Sequence, residues 1–193
     1  MPLNIPNLLT WFRILLIPVF IAVFYVPDDV LSLHHKHMLS FSIFWFASIT
    51  DWLDGYLARV LNQGSAFGAF LDPVADKLMV VAALVILLKL DYVDAAIAFI
   101  IIGRELTISA LREWMAQLGS SKSVAVSMLG KVKTVFQMLA IQFLLFQEPL
   151  LGISTKWVGT LLIYLAAILT LWSMVYYLML AMPKILEKSR NPN

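Results

Sequence analysis

Hydrophobic residues gather into six stretches, at roughly 7–26, 38–60, 67–89, 93–115, 130–147 and 157–181. Each is close to the ~20 residues that a helix needs to cross a bilayer. The connections between them are short and rich in turn residues: VPDDVLSLHHKH, NQGSA, KLDY, LGSSKSVAVSMLG and QEPLLGISTK, in chain order. No internal repeat or low-complexity segment interrupts the pattern. It predicts an all-α polytopic membrane protein, six transmembrane helices in one bundle, with residues 1–193 forming a single domain. Pro18 and Pro73 fall inside the first and third stretches and are expected to bend them.

Composition sharpens this reading. Of the 193 residues 61% are hydrophobic and 13% charged, whereas soluble domains run at about 45–50% apolar and ~25% charged. There is no cysteine, which excludes disulfides, thiolate metal sites and cysteine nucleophiles. The first stretch lacks a basic leader, is interrupted by Arg13 and is followed by no small-x-small cleavage signal, so it reads as a retained helix. Lys and Arg set the orientation. Arg59, Arg112, Lys122, Lys131, Lys133, Lys184, Lys188 and Arg190 fall on the side of the termini and the even-numbered connections, against Lys36, Lys89 and Lys156 on the other. Both termini and the turn at 59–66 are therefore expected to face the cytoplasm.

Against this apolar background stand Asp51, Asp54, Asp72 and Asp76. Each would cost about 2.5–3.5 kcal/mol at the membrane centre, so together on the order of 10 kcal/mol. Asp54 and Asp72 lie about seven residues either side of the NQGSA turn, or about 10 Å along their helices, and are expected to face each other across a hairpin. Asp51 and Asp54 share one helix face, as do Asp72 and Asp76. Gly55, Ala58 and Gly68 continue these stripes and leave room for a bulky group, although small residues also permit close helix packing. Lys77 follows Asp76 directly and so is expected to point away, leaving Arg59 as the nearby cation. One guanidinium cannot neutralise four carboxylates. Two divalent cations can, and oxygen ligands select hard ions. A pair of such ions is suited to displacement at phosphorus.

The run Asp51-x2-Asp54-Gly55-x2-Ala58-Arg59-x8-Gly68-x3-Asp72-x3-Asp76 resembles the complete signature of the CDP-alcohol phosphatidyltransferases, with all eight specified positions present. The likeness extends to the six-span layout and so covers nearly the whole chain. It implies that Asp51, Asp54, Asp72 and Asp76 hold two divalent cations, Mg²⁺ or Mn²⁺, and that Asp76 is also the general base. It implies that Gly55, Ala58, Arg59 and Gly68 surround the CDP part of CDP-diacylglycerol, with Ser65 beside them. The opening NLLTWFR resembles the family's first helix and suggests Asn7, Thr10 and Arg13 near the nucleotide; taken alone, Arg13 also fits a snorkelling anchor. The family further implies a homodimer in the bacterial inner (cytoplasmic) membrane, with its active site facing the cytoplasm. Nothing in the chain points to nucleic acid.

The acceptor alcohol differs among family members. Arg104 and Arg112 fall at i and i+8 on one helix face, and Lys131 and Lys133 open the next stretch beside Thr134 and Gln137. Converging cations suit the phosphate of a small acceptor, and both segments resemble those of members that use glycerol 3-phosphate. For Lys131, Lys133 and Arg112 the alternative is positive-inside topology. Glu105 is expected to point away from Arg104 and to orient the site together with Ser109. A lipid acceptor, phosphatidylglycerol as in a cardiolipin synthase, is a rival that would leave these cations unexplained. A divalent-cation transporter is a second, and it explains neither the cations nor the small residues. His34, His35 and His37 resemble a metal tract but read better as a solvated loop on the opposite side. Trp11, Trp157, Trp172, Tyr176 and Tyr177 read as interfacial anchors or bundle packing.

Overall fold

The computed structural model describes residues 4–61, 65–117 and 128–190. They form six helices: α1 (Ile5–Val23), α2 (Leu33–Val60), α3 (Ala66–Lys89), α4 (Ala95–Gln117), α5 (Met128–Phe146) and α6 (Thr155–Arg190). Among the described residues the only β-type pairing is an isolated bridge between Leu150 and Ile153. Each apolar stretch has become one helix. α1 and α3 run unbroken through Pro18 and Pro73. By length and apolarity, two helices qualify unaided as membrane spans, at Pro6–Val23 and Thr155–Pro183. The Asp residues of α2 and α3 and the Arg104–Glu105 pair of α4 make those helices more polar than a lipid-facing span.

Local chemistry sets several boundaries. Ser65 caps α3, its hydroxyl accepting from the Gly68 N–H at 2.9 Å. Asp91 takes a left-handed conformation, φ 55°, just beyond α3. The Tyr92 N–H then reaches back to the Leu87 carbonyl at 2.9 Å, closing the helix end. α2 starts earlier than the hydrophobic pattern predicts, behind Ser32, so the histidines expected in a loop belong to its first turns. His37 is buried and stacks on Tyr92 with ring centroids 5.7 Å apart. Lys36 is buried against Asp28 at 2.5 Å, and His34 meets Glu148 at 2.8 Å. A hydropathy reading treats His and Lys as loop residues, but here each has a specific partner that makes its helical position affordable.

The arrangement of the helices also departs from the expected α2–α3 hairpin. α1 packs against both α2 and α3 far more extensively than those two pack against each other. On the other side, α6 packs on α4 and α5, and contacts between α2 and α5 join the halves. The main core lies between these groups and includes Phe20, Phe44, Leu84, Leu87, Ile101, Ile141 and Leu144. Between α5 and α6, a Cβ placed on Gly159 would lie 2.8 Å from Leu144 Cγ and 3.0 Å from its backbone nitrogen. Backbone cannot yield as a side-chain tip can. Gly159→Val is therefore expected to destabilise the bundle by about 1–3 kcal/mol, seen as a lower unfolding midpoint of the detergent-solubilised protein.

Candidate active site

With α1 inserted between α2 and α3, the side chain that meets the aspartates is Arg13. Its Nη1 pairs with Asp51 at 3.0 Å and with Asp76, and its Nη2 pairs with Asp54. One buried guanidinium thus ties carboxylates of two helices to a third. Arg59 is therefore not the sole cation near the aspartates, as the hairpin pattern alone suggests: Arg13 of the first helix is another. Arg59 lies in the last turn of α2, and its side chain falls outside the described residues. Asp72 is held separately, accepting from the Thr10 hydroxyl at 2.6 Å. Asn7, a turn earlier on α1, accepts from the Ser65 hydroxyl at 3.0 Å. The Asn7 side chain also fills the space over Gly68, where an added Cβ would lie 2.5 Å from Asn7 Oδ1. Gly68 is small because Asn7 crosses it, whereas a Cβ on Gly55 would meet nothing within 4 Å. The helix-packing explanation therefore fails for Gly55.

Three of the four aspartates, Asp51, Asp72 and Asp76, line a cavity of about 350 Å³. Asp54 lies outside its lining, buried against Arg13. The opposite wall comes from α4 and α5: Glu105, Arg112, Thr134 and Gln137. Lys77 lines it too, contrary to the expectation that it points away, because the cavity spans more of the α3 surface than the aspartate stripe.

Behind this wall is a second charged group. Glu105 Oε1 accepts from Arg104 Nη1 at 3.1 Å and from Lys133 Nζ. Arg104 Nη2 donates to Ser173 on α6 at 3.0 Å. Glu105 thus neutralises Arg104, contrary to expectation: adjacent residues on a helix diverge at Cα, but long side chains can fold back to meet. Ser109 donates to the Glu105 backbone carbonyl at 2.7 Å. Neither Arg104 nor Lys133 lines the cavity; Arg112 does. The side chain of Lys131 falls outside the described residues. Of the two roles expected for Tyr177, anchor or bundle packing, the second holds: its buried ring lies 6.0 Å from the Arg104 guanidinium and 5.5 Å from that of Arg112. Only its spacing on α6 relative to Ser173, one helical turn away, hinted that both face α4.

The donor set fits hard divalent cations. All its ligand atoms are oxygens, and three carboxylates around one guanidinium, with Asp72 beside them, leave a negative excess that opens to the cavity through Asp51, Asp72 and Asp76. Among the described residues no three acidic or histidine side chains are grouped to hold one ion in this conformation; Arg13 takes that position. Removing it strands Asp54 without a cation, so Arg13→Leu is expected to lose about 3–5 kcal/mol. Thermal unfolding in detergent with a chelator would show it, and Arg13→Lys would recover only part.

Comparison with known proteins gives consistent results. The family model described as CDP-alcohol phosphatidyltransferase matches residues 3–172. CDP-diacylglycerol–glycerol-3-phosphate 3-phosphatidyltransferase of Salmonella typhimurium strain LT2 is 48% identical over 190 residues, covering 97% of this chain and all of its own. The Haemophilus influenzae protein of the same name is 48% identical over 189 residues, with 97% and 98% covered. That of Shigella flexneri is 47% identical over 190 residues, with 97% and 100% covered.

Proposed function

The chain belongs to the CDP-alcohol phosphatidyltransferase family, and from that premise we propose that it transfers a phosphatidyl group from CDP-diacylglycerol to glycerol 3-phosphate. The products are phosphatidylglycerophosphate and CMP. The observation that carries this reading is one cavity walled on one side by Asp51, Asp72 and Asp76 and on the other by Arg112, with Lys77 at its edge. Acidic residues on one wall suit a cation-bound diphosphate, and the Arg112 guanidinium on the other suits an acceptor phosphate. The names of the relatives cited above agree with both substrates.

The residues divide the work by position. Asp51, Asp54, Asp72 and Asp76 would hold two divalent cations, Mg²⁺ or Mn²⁺, which when bound neutralise the diphosphate and favour CMP as the leaving group. Asn7, Thr10, Arg13, Gly55, Ala58, Arg59, Ser65 and Gly68 belong to the CDP end. There the open space at Gly55 allows close approach, and the Asn7–Ser65–Gly68 junction fixes the start of α1 against the start of α3. Asp76, facing the cavity, takes the proton of the acceptor hydroxyl as that oxygen bonds to the lipid-side phosphorus and the phosphorus–oxygen bond to CMP breaks. Arg112 attracts the acceptor phosphate directly, with Lys131 on the same end of the bundle. Arg104 and Lys133 act through Glu105.

The setting follows the charge pattern. All six helices cross the bacterial inner membrane as a single domain, with both termini and the site on the cytoplasmic side, where Lys and Arg are concentrated. A homodimer is the assembly the family implies. The test is reconstitution of purified protein with CDP-diacylglycerol, Mg²⁺ or Mn²⁺ and a panel of acceptors, with the lipid product identified by mass spectrometry. Phosphatidylglycerophosphate is expected from glycerol 3-phosphate alone, with a loss of at least about 10²-fold in Asp76→Asn and complete loss with a chelator. Cardiolipin formed from phosphatidylglycerol would overturn the acceptor assignment.

A further inference from the structure

The acceptor wall of the cavity carries groups that a phosphate does not satisfy. Phosphate oxygens accept hydrogen bonds, so they match Arg112, whose Nε is buried without a partner, and, from α3, Lys77, which forms no ion pair among the described residues. Two other atoms lining the cavity are acceptors. Gln137 is 97% buried, lines the cavity, and its Oε1 has no hydrogen-bond partner. Glu105 also lines the cavity, and both of its side-chain bonds fall on Oε1. That leaves Oε2 with no donor among the described residues. A buried acceptor without a donor is unfavourable by about 1–3 kcal/mol; Gln137 Oε1 is such an atom, and with the partly exposed Glu105 carboxylate on the same cavity it calls for a ligand that supplies hydroxyls.

We propose that Glu105 and Gln137 recognise the hydroxyl groups of the acceptor while Arg112 and Lys77 hold its phosphate, so that the site selects a polyol phosphate rather than any phosphorylated alcohol. This rests on the reading above that the acceptor is glycerol 3-phosphate. It also gives Arg104 and Lys133 a defined task. Both pair with Oε1 of Glu105, with Arg104 anchored in turn to Ser173, so the carboxylate is fixed with its other oxygen free. They are positioning residues, and Glu105 is the residue that touches substrate.

The discriminating probe is 3-hydroxypropyl phosphate, which keeps the phosphate and a primary hydroxyl able to react but lacks the secondary hydroxyl of glycerol 3-phosphate. A site built to bond a hydroxyl rejects an analogue lacking it, so the reconstituted protein is expected to favour glycerol 3-phosphate by roughly 10²-fold or more in kcat/KM. In Gln137→Leu and in Glu105→Gln that preference should fall at least about tenfold, through loss on glycerol 3-phosphate rather than on the analogue. The ratio is internal to each protein, so a smaller folded fraction cancels. Gln137→Leu leaves the ion pairs of Glu105 in place and decides the matter if Glu105→Gln is inactive. A preference near one in the unsubstituted protein, or one unchanged in Gln137→Leu, overturns the proposal while leaving the transferase reading intact. Transfer to a lipid alcohol and to neither phosphate overturns both.

Discussion

The contact on which the site depends is the set of ion pairs between Arg13 and the aspartates of α2 and α3. A carboxylate in an apolar bundle is tolerated only with a counter-charge, and here one guanidinium serves three. Its planar fork can address several oxygens at once, which an ammonium cannot do with the same directionality. The arrangement requires α1 to stand between α2 and α3, so the electrostatics and the packing order are two expressions of one constraint. The Thr10–Asp72 and Asn7–Ser65 hydrogen bonds repeat it at successive turns of α1.

The second charged group is built on the same logic with the signs reversed. Around Asp51, Asp54 and Asp76 a single cation holds several anions, leaving negative charge to spare. Around Glu105 a single anion holds two cations, and Arg112 stands nearby over the Tyr177 ring. The cavity lies between these groups and touches both. Under the proposed function, a donor substrate rich in phosphate and an acceptor bearing one phosphate would be drawn to different walls of one chamber, bringing the reacting oxygen and phosphorus together. Each group divides into residues that line the chamber and residues that only hold them: Asp54 behind Asp51 and Asp76, Arg104 and Lys133 behind Glu105.

The sequence by itself determined the six helices, because a bilayer-length apolar run with turn residues at its ends has few other folded forms. It also determined that four aspartates matter, since retaining them in such a background is costly, and their spacing carried the family. What it could not supply was which helix supplies the counter-charge, since ion pairing depends on which helix lies alongside and hairpin adjacency in the chain does not fix that. The partners of Arg13, Lys77 and Glu105 were hidden for this reason: the direction of a side chain from its own helix is legible, but the neighbour it meets is not. His37 and Lys36 show the same limit at the other end of the bundle, where polar residues suggestive of a loop are packed into a helix by partners distant in sequence. Only tertiary structure decided these pairings, because a long charged side chain settles wherever an opposite charge escapes water with it.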